Sequence, residues 1–297
     1  MATRRVFVLL LGDTAGGHVD HFQRLQEETA LAEGRRLGLE VEVALAPAFD
    51  QPRVLVKRLL DRSVAAIDAV VTEPGNTPTL NLMLNELRGK TGLIVLSAWT
   101  PAIEQAAAGW GAGLPMGTVS TDHRRVGEIQ AGQIAALLPA GGRVLYVAGP
   151  AHSSAAQERL EGLRAHLAPG VGLEETSAGQ WIESDGTTAF EHWYRIAKAR
   201  DPIVQVIAAG NDELAVGARR GCEAVSHAQH REALLRAKFL GVDAVPAYGR
   251  RLVEQGVLAG SVFTPANSGT ALGHLHRFWT QGTPVPLRSF TEARPWP

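Results

Sequence analysis

A single cysteine, Cys222, in 297 residues excludes an intrachain disulfide framework. An excess of one charge is missing too. Lysine and arginine number 29 against 30 aspartates and glutamates, and the net charge of −1 leaves no strong field to draw nucleic acid or an anionic membrane. No apolar run approaches the roughly 20 residues that a membrane helix needs. A full GxxxxGK[ST] phosphate loop, a GxSxG nucleophile elbow and an HExxH zinc pair are all absent, and no catalytic constellation can be assembled from what remains. What is plentiful is apolar side chain, 45 % of the residues, on a chain long enough for two domains.

The start, MATRR then VFVLLLG, has the crude outline of a signal peptide. The apolar run is short, and GDTAGG follows it instead of a small-residue cleavage site. VFVLLLG therefore reads as a first buried strand. On that reading the chain carries no export signal, which leaves a cytosolic protein or one whose leader has been removed.

From there the pattern alternates. Residues 6–12 read as a strand, 22–37 as an amphipathic helix stopped by Gly38, LEVEVALA as a strand and FDQPRVLVKRLLDRSV as a second helix. IDAVVTEPG, TLNLMLNELRGK and TGLIVLSAW continue as strand, helix and strand. This βαβ series implies a parallel sheet with helices on both faces. Residues 100–117, rich in glycine, alanine and proline, interrupt it as a loop with one short helical turn. A second unit then repeats the grammar: a helix in HRRVGEIQAGQIAALL, a strand in RVLYVAG, a helix in SAAQERLEGLRAHL, an extended stretch ending near Trp181 and a helix over 190–198. IVQVIAA, AKFLGVD and LAGSVFT read as further strands, AYGRRLVEQG as a helix, and 265–297 as one helix and an extended tail. Two α/β units without a flexible tether suggest a bilobal body, with a small ligand in the cleft between the lobes.

The stretch RDPIVQVIAAGNDELAVGA, residues 200–218, anchors the functional reading. Asn211 and Asp212 fall between a buried strand and a helix, where open α/β sheets bind ligands. The same residue types cap helices, so both roles stand for them. Cys222 follows in that helix and reads as a small core residue, with a reactive thiol as the lesser alternative. GDTAGG is a plain turn, His18, Asp20 and His21 are weak metal ligands by type, and His227 and His230 sit in a polar, solvated stretch. Glu27–Glu28 and Glu174–Glu175 lie on polar faces, where solvation explains them.

Several segments carry a family resemblance. DHFQ at 20–23, VSTDHRRVG at 119–127, SSAAQERLEGL at 153–163, AAGNDELAVGA at 208–218, LGVDAVP at 240–246 and GVLAGSVFTP at 256–265 occur in one order over nearly the whole chain. In that order they resemble the type I periplasmic binding proteins of the ribose-binding-like sugar-binding group, whose fold also forms the effector domain of LacI-type repressors. The resemblance implies two Rossmann-like lobes of doubly wound parallel sheet joined by a three-strand hinge. The lobes would be 1–121 plus 265–289 and 122–264 plus 290–297.

It also implies a ligand site. Matching positions fall on Asp20, Phe22, Gln23, Ser97 and Ala98, then on Gln157, Trp181, Asn211, Asp243 and Thr264, with Trp99 and Trp110 as neighbouring aromatics for a replacement wall. Core packing competes for Phe22 and Trp181, and a turn role for Asp243. The family's sugar-clamping arginines are replaced at Ala98 and Gln157, which points away from a ribose- or galactose-like ligand. The implied function is capture of a neutral sugar, polyol or similar solute by a monomer and delivery to an ABC permease or a sensor protein. No cofactor, metal, enzyme activity or direct nucleic-acid contact is expected, and the location is periplasmic, with cytoplasmic as the alternative. The rival function is a ligand-sensing effector module of a LacI-type regulator lacking its DNA-binding domain.

Overall fold

The computed structural model describes residues 3–13, 21–47, 66–200 and 202–297. They divide into two compact units, residues 1–121 with 266–291 and residues 122–265 with 292–297, so the chain crosses between units three times. The helix expected in FDQPRVLVKRLLDRSV lies outside the described residues.

Unit 1 is built on a six-stranded parallel sheet. Its strands are β1 (Arg5–Asp13), β2 (Glu40–Pro47), β3 (Ala69–Thr72), β4 (Gly92–Leu96), β5 (Met116–Thr121) and β11 (Arg288–Thr291), in the order β11-β5-β4-β3-β1-β2. The period of two along β1 explains why both faces are covered. Phe7, Leu9 and Leu11 enter one apolar core, while Val6, Val8 and Leu10 enter another on the opposite face. The first core takes α2 (Thr77–Leu87) and α3 (Pro101–Ala107), and the second takes α1 (His21–Leu37) and α10 (Asn267–Gln281). VFVLLLG is thus a central strand, paired on both sides.

Unit 2 repeats the scheme on four parallel strands, β6 (Gly142–Ala148), β7 (Val171–Ser177), β8 (Val206–Ala209) and β9 (Lys238–Leu240), ordered β7-β6-β8-β9. Leu145 and Val147 pack on one face with α6 (Glu183–Ala197) and α7 (Asp212–Glu223). Val144 and Tyr146 face the other, with α4 (His123–Leu137) and α5 (Ser154–His166). The tail closes this unit. β12 (Arg294–Trp296) runs antiparallel to β10 (Ser261–Phe263), and the Arg250 guanidinium lies 4.1 Å from the Trp296 ring centre. Asx and serine caps open the helices as their residue types dictate: Asn76 accepts from Thr79 N, Asp122 from Arg125 N and Ser153 from Ala156 N.

Two expectations are corrected and one helix is added. The helix placed at 190–198 begins at Glu183, because Glu183 and Asp185 supply an acidic first turn. The histidine-bearing stretch after Val225 forms a further helix, α8 (Ala228–Leu235), capped by His227. Trp110 forms no wall. It is buried in the unit 1 core and its Nε1 donates to the Thr91 carbonyl at 2.9 Å. The remaining helix, α9, spans Gly249–Glu254. No helix among the described residues is long and apolar enough to cross a membrane.

Candidate functional site

In unit 2 strand order reverses between β6 and β8, so a crevice for ligand is expected outside their carboxyl ends. Those ends are Gly149 and Gly210, and the Trp181 indole rests on both. A Cβ on Gly149 would fall on the ring and one on Gly210 would come within 2.9 Å of it, so glycine at both positions is what admits the aromatic. Trp181 keeps part of its surface exposed. Its backbone carbonyl accepts from Asn211 Nδ2 at 3.0 Å, and Asn211 Oδ1 caps α7 by accepting from Leu214 N at 2.8 Å. The capping role of Asn211 is thus met, and the same amide ties down the tryptophan backbone.

Arg159 sits against the same ring, its guanidinium 5.4 Å from the indole centre. It is 6 % exposed, and each of its three nitrogens makes one hydrogen bond, which leaves two N–H groups of the five. Nη1 donates to the Gly210 carbonyl, Nη2 to Asp243 Oδ1 at 3.4 Å, and Nε to His123 Nδ1 at 3.3 Å. Asp243 also accepts from Thr264 Oγ1 at 3.1 Å. Arginine can only donate, so His123 Nδ1 carries no proton and the neutral ring bears its hydrogen on Nε2. That Nε2 is buried without a hydrogen-bond partner among the described residues. Burial, and then the neighbouring Arg159 charge, hold His123 well below the ordinary histidine range.

A second carboxylate lies beneath. Asp212 Oδ1 accepts from Ser261 Oγ at 2.6 Å and Oδ2 from Ala244 N at 2.9 Å. Burial first and the charge of Asp243 second push Asp212 well above the usual carboxylate range, and burial raises Asp243 as well. Asp243 and Ala244 follow β9 with φ of 98° and 43°, a backbone region that non-glycine residues seldom occupy and that tends to mark functional positions.

Unit 1 shows the same kind of place. Ser97, directly after β4, has φ 57°. Its Oγ accepts from Asn267 Nδ2 at 3.2 Å. Gln23 on α1 is buried, and its Nε2 donates to Glu73 Oε2 at 2.8 Å, just past the end of β3. Phe22 is half-buried. Trp99, also half-buried, packs on the core while the Arg288 guanidinium lies 5.1 Å from its ring. Asp20 lies outside the described residues.

The structure thus gathers Trp181, Asn211, Asp243 and Thr264 into one cluster. Gln157 is exposed, with its Nε2 donating to the Ala151 carbonyl at 2.6 Å. Arg159 and His123 are the members that sequence reading passed over. The signal for Arg159 was present: it sits between Ala156 and Gly162, three residues from each, on the buried stripe of its helix. No group of three or more metal-ligating side chains occurs among the described residues.

The model of the periplasmic binding protein domain family matches residues 19–272. No curated protein matches the chain in sequence. Among solved structures, an ABC transporter periplasmic solute binding protein from Actinobacillus succinogenes 130z with bound D-allose superposes at TM-score 0.78. It is 18 % identical, over 99 % of this chain and 97 % of that one. An ABC transporter solute binding protein from Bacillus halodurans C-125 with bound myo-inositol gives 0.75 at 20 % identity, covering 99 % and 95 %. One from Mycobacterium smegmatis with bound glycerol gives 0.78 at 17 %, covering 99 % and 94 %. At these identities the likeness establishes the two-lobed type I fold.

Proposed function

Since the chain belongs to the periplasmic binding protein domain family, we propose that it is a solute-binding protein for a small neutral sugar or polyol, working in the periplasm or at the cell surface with an ABC permease or a sensor protein. The observation that carries this is the Arg159–Asp243 pair beside Trp181. A sugar presents hydroxyls in fixed directions around a ring with apolar CH faces. It calls for planar polar groups at the edge and an aromatic surface at the face. Arg159 and Asp243 supply the first, and Trp181 the second. Their charges cancel, so a neutral guest fits better than an anion, which would meet an arginine already committed to a carboxylate.

In unit 2 the ligand contacts would be Trp181, Asn211, Asp243 and Thr264 with Arg159; Asp20, Phe22, Gln23, Ser97 and Trp99 are the contacts that the family resemblance implies in unit 1. Binding then biases the population of conformations by the contacts made only in the ligand-bound state. That bias is what a permease or sensor would read.

A thermal-shift screen tests the proposal with D-allose, myo-inositol, fructose, arabinose, galactose and glycerol against citrate, phosphate and amino acids. A rise in Tm with one or more neutral solutes supports it, and a rise confined to anions overturns it.

A further inference from the structure

We propose that Asn267 is a positioning residue that couples the ligand contact at Ser97 to the three places where the chain crosses between units; the coupling to ligand rests on Ser97 being a contact. The units meet along the chain at 121/122, 265/266 and 291/292. Asn267 is the second residue after the middle crossing, at the start of α10, and it is 1 % exposed. Its Nδ2 donates to Ser97 Oγ at 3.2 Å, and its Oδ1 accepts from Thr291 Oγ1 at 2.9 Å. Thr291 Oγ1 in turn meets Thr121 Oγ1 at 3.2 Å.

Thr121 and Thr291 are the last unit 1 residues before the other two crossings. One buried amide therefore joins all three crossings to a serine held at φ 57° at the carboxyl end of β4. In this arrangement the Asn267 oxygen accepts from Thr291 Oγ1 and its nitrogen donates to Ser97 Oγ. In such a chain a change at either end reorganises the middle. A ligand hydroxyl that donates to Ser97 Oγ competes with the Asn267 N–H for that oxygen and is felt at Thr291 and Thr121.

The test is a double-mutant cycle of Ser97→Ala with Thr291→Val, two near-isosteric changes at opposite ends of the chain, read in two ways. The first reading is Kd for whichever neutral sugar passes the screen above. Each single change is expected to weaken binding about three- to tenfold, and the double variant no more than the stronger single. The second reading needs no sugar. Native-state hydrogen exchange at the Ser97 amide is expected to quicken in Thr291→Val, and that of the 288–291 strand in Ser97→Ala, although the two segments share no hydrogen bond. Additive Kd effects, or exchange changes confined to the mutated segment, overturn the proposal. If no sugar binds, the assignment of function fails while the exchange measurement still decides the coupling.

Discussion

Arg159 and Asp243 meet at 3.4 Å although 84 positions separate them in the chain, and their side chains are 7 % and 11 % exposed. Removing one partner of a buried pair leaves the other charge without compensation. Arg159→Met is therefore expected to lower the unfolding free energy by about 3–5 kcal/mol. Asp243→Asn keeps an acceptor for Thr264 and tolerates the positive φ, so it should cost only about 1–3 kcal/mol. The double variant should cost clearly less than the two together. Urea unfolding of the four proteins checks this, and strict additivity would contradict the pairing.

Asn211 does two things, and two substitutions separate them. Asn211→Ala removes the cap of α7 and the hold on the Trp181 carbonyl, for about 1–2 kcal/mol and a Tm lower by several degrees. Asn211→Asp keeps the capping oxygen but loses the Nδ2 donor. It should retain most of the stability while weakening sugar binding, as measured by calorimetry beside thermal melts. Equal loss of stability in both variants would show that the capping oxygen contributes nothing, and would contradict the division of the two roles.

His123 makes stability depend on acid. Its folded-state pKa is depressed by burial and Arg159, whereas in the unfolded chain it protonates near 6.5. Below that value the unfolded state binds the additional proton, so stability is lost as pH falls through 6.5 and below. His123→Asn removes this limb. Unfolding free energies of wild type and variant, compared between pH 7.5 and 5.5, should converge toward the acid end. A difference that does not change with pH would contradict a neutral, buried imidazole.

Asp212 acts with the opposite sign. Its folded-state pKa is raised above the ordinary 3.8, so the folded protein holds a proton that the unfolded chain has already released. Its contribution to stability is largest below 3.8 and declines as pH rises toward the raised value. Asp212→Asn preserves an acceptor for Ala244 N and can donate to Ser261 Oγ. Relative to wild type it should gain stability as pH rises from about 4 toward the raised value and level off above it, in the same unfolding assay.

The alternation of strands and helices was legible because buried parallel strands such as VIAA and GLIVL are short β-branched runs between polar caps, a local property. The start of α6 was not. Glu183, Ser184, Asp185 and Gly186 look like a loop, and only the close approach of α7, where the Leu214 backbone lies against Gly186, explains a glycine inside that helix. Trp110, in GWGAG, looked free to project, yet its indole nitrogen finds a carbonyl 19 residues upstream. In the candidate site, Asn211 and Asp243 were visible as residue types at strand ends. Arg159 was not singled out as a member, since its value lies in meeting Asp243, Gly210 and His123, all distant in sequence.

The most direct measurement is isothermal titration of the purified protein, and of Asp243→Asn beside it, with the neutral sugars and polyols of the screen and with anions of similar size. The account predicts saturable binding of a neutral solute at one site per chain, weakened about ten- to a hundredfold in the variant, for a loss of about 1–3 kcal/mol. Binding of anions alone, or of a neutral solute with affinity unchanged by Asp243→Asn, would contradict it.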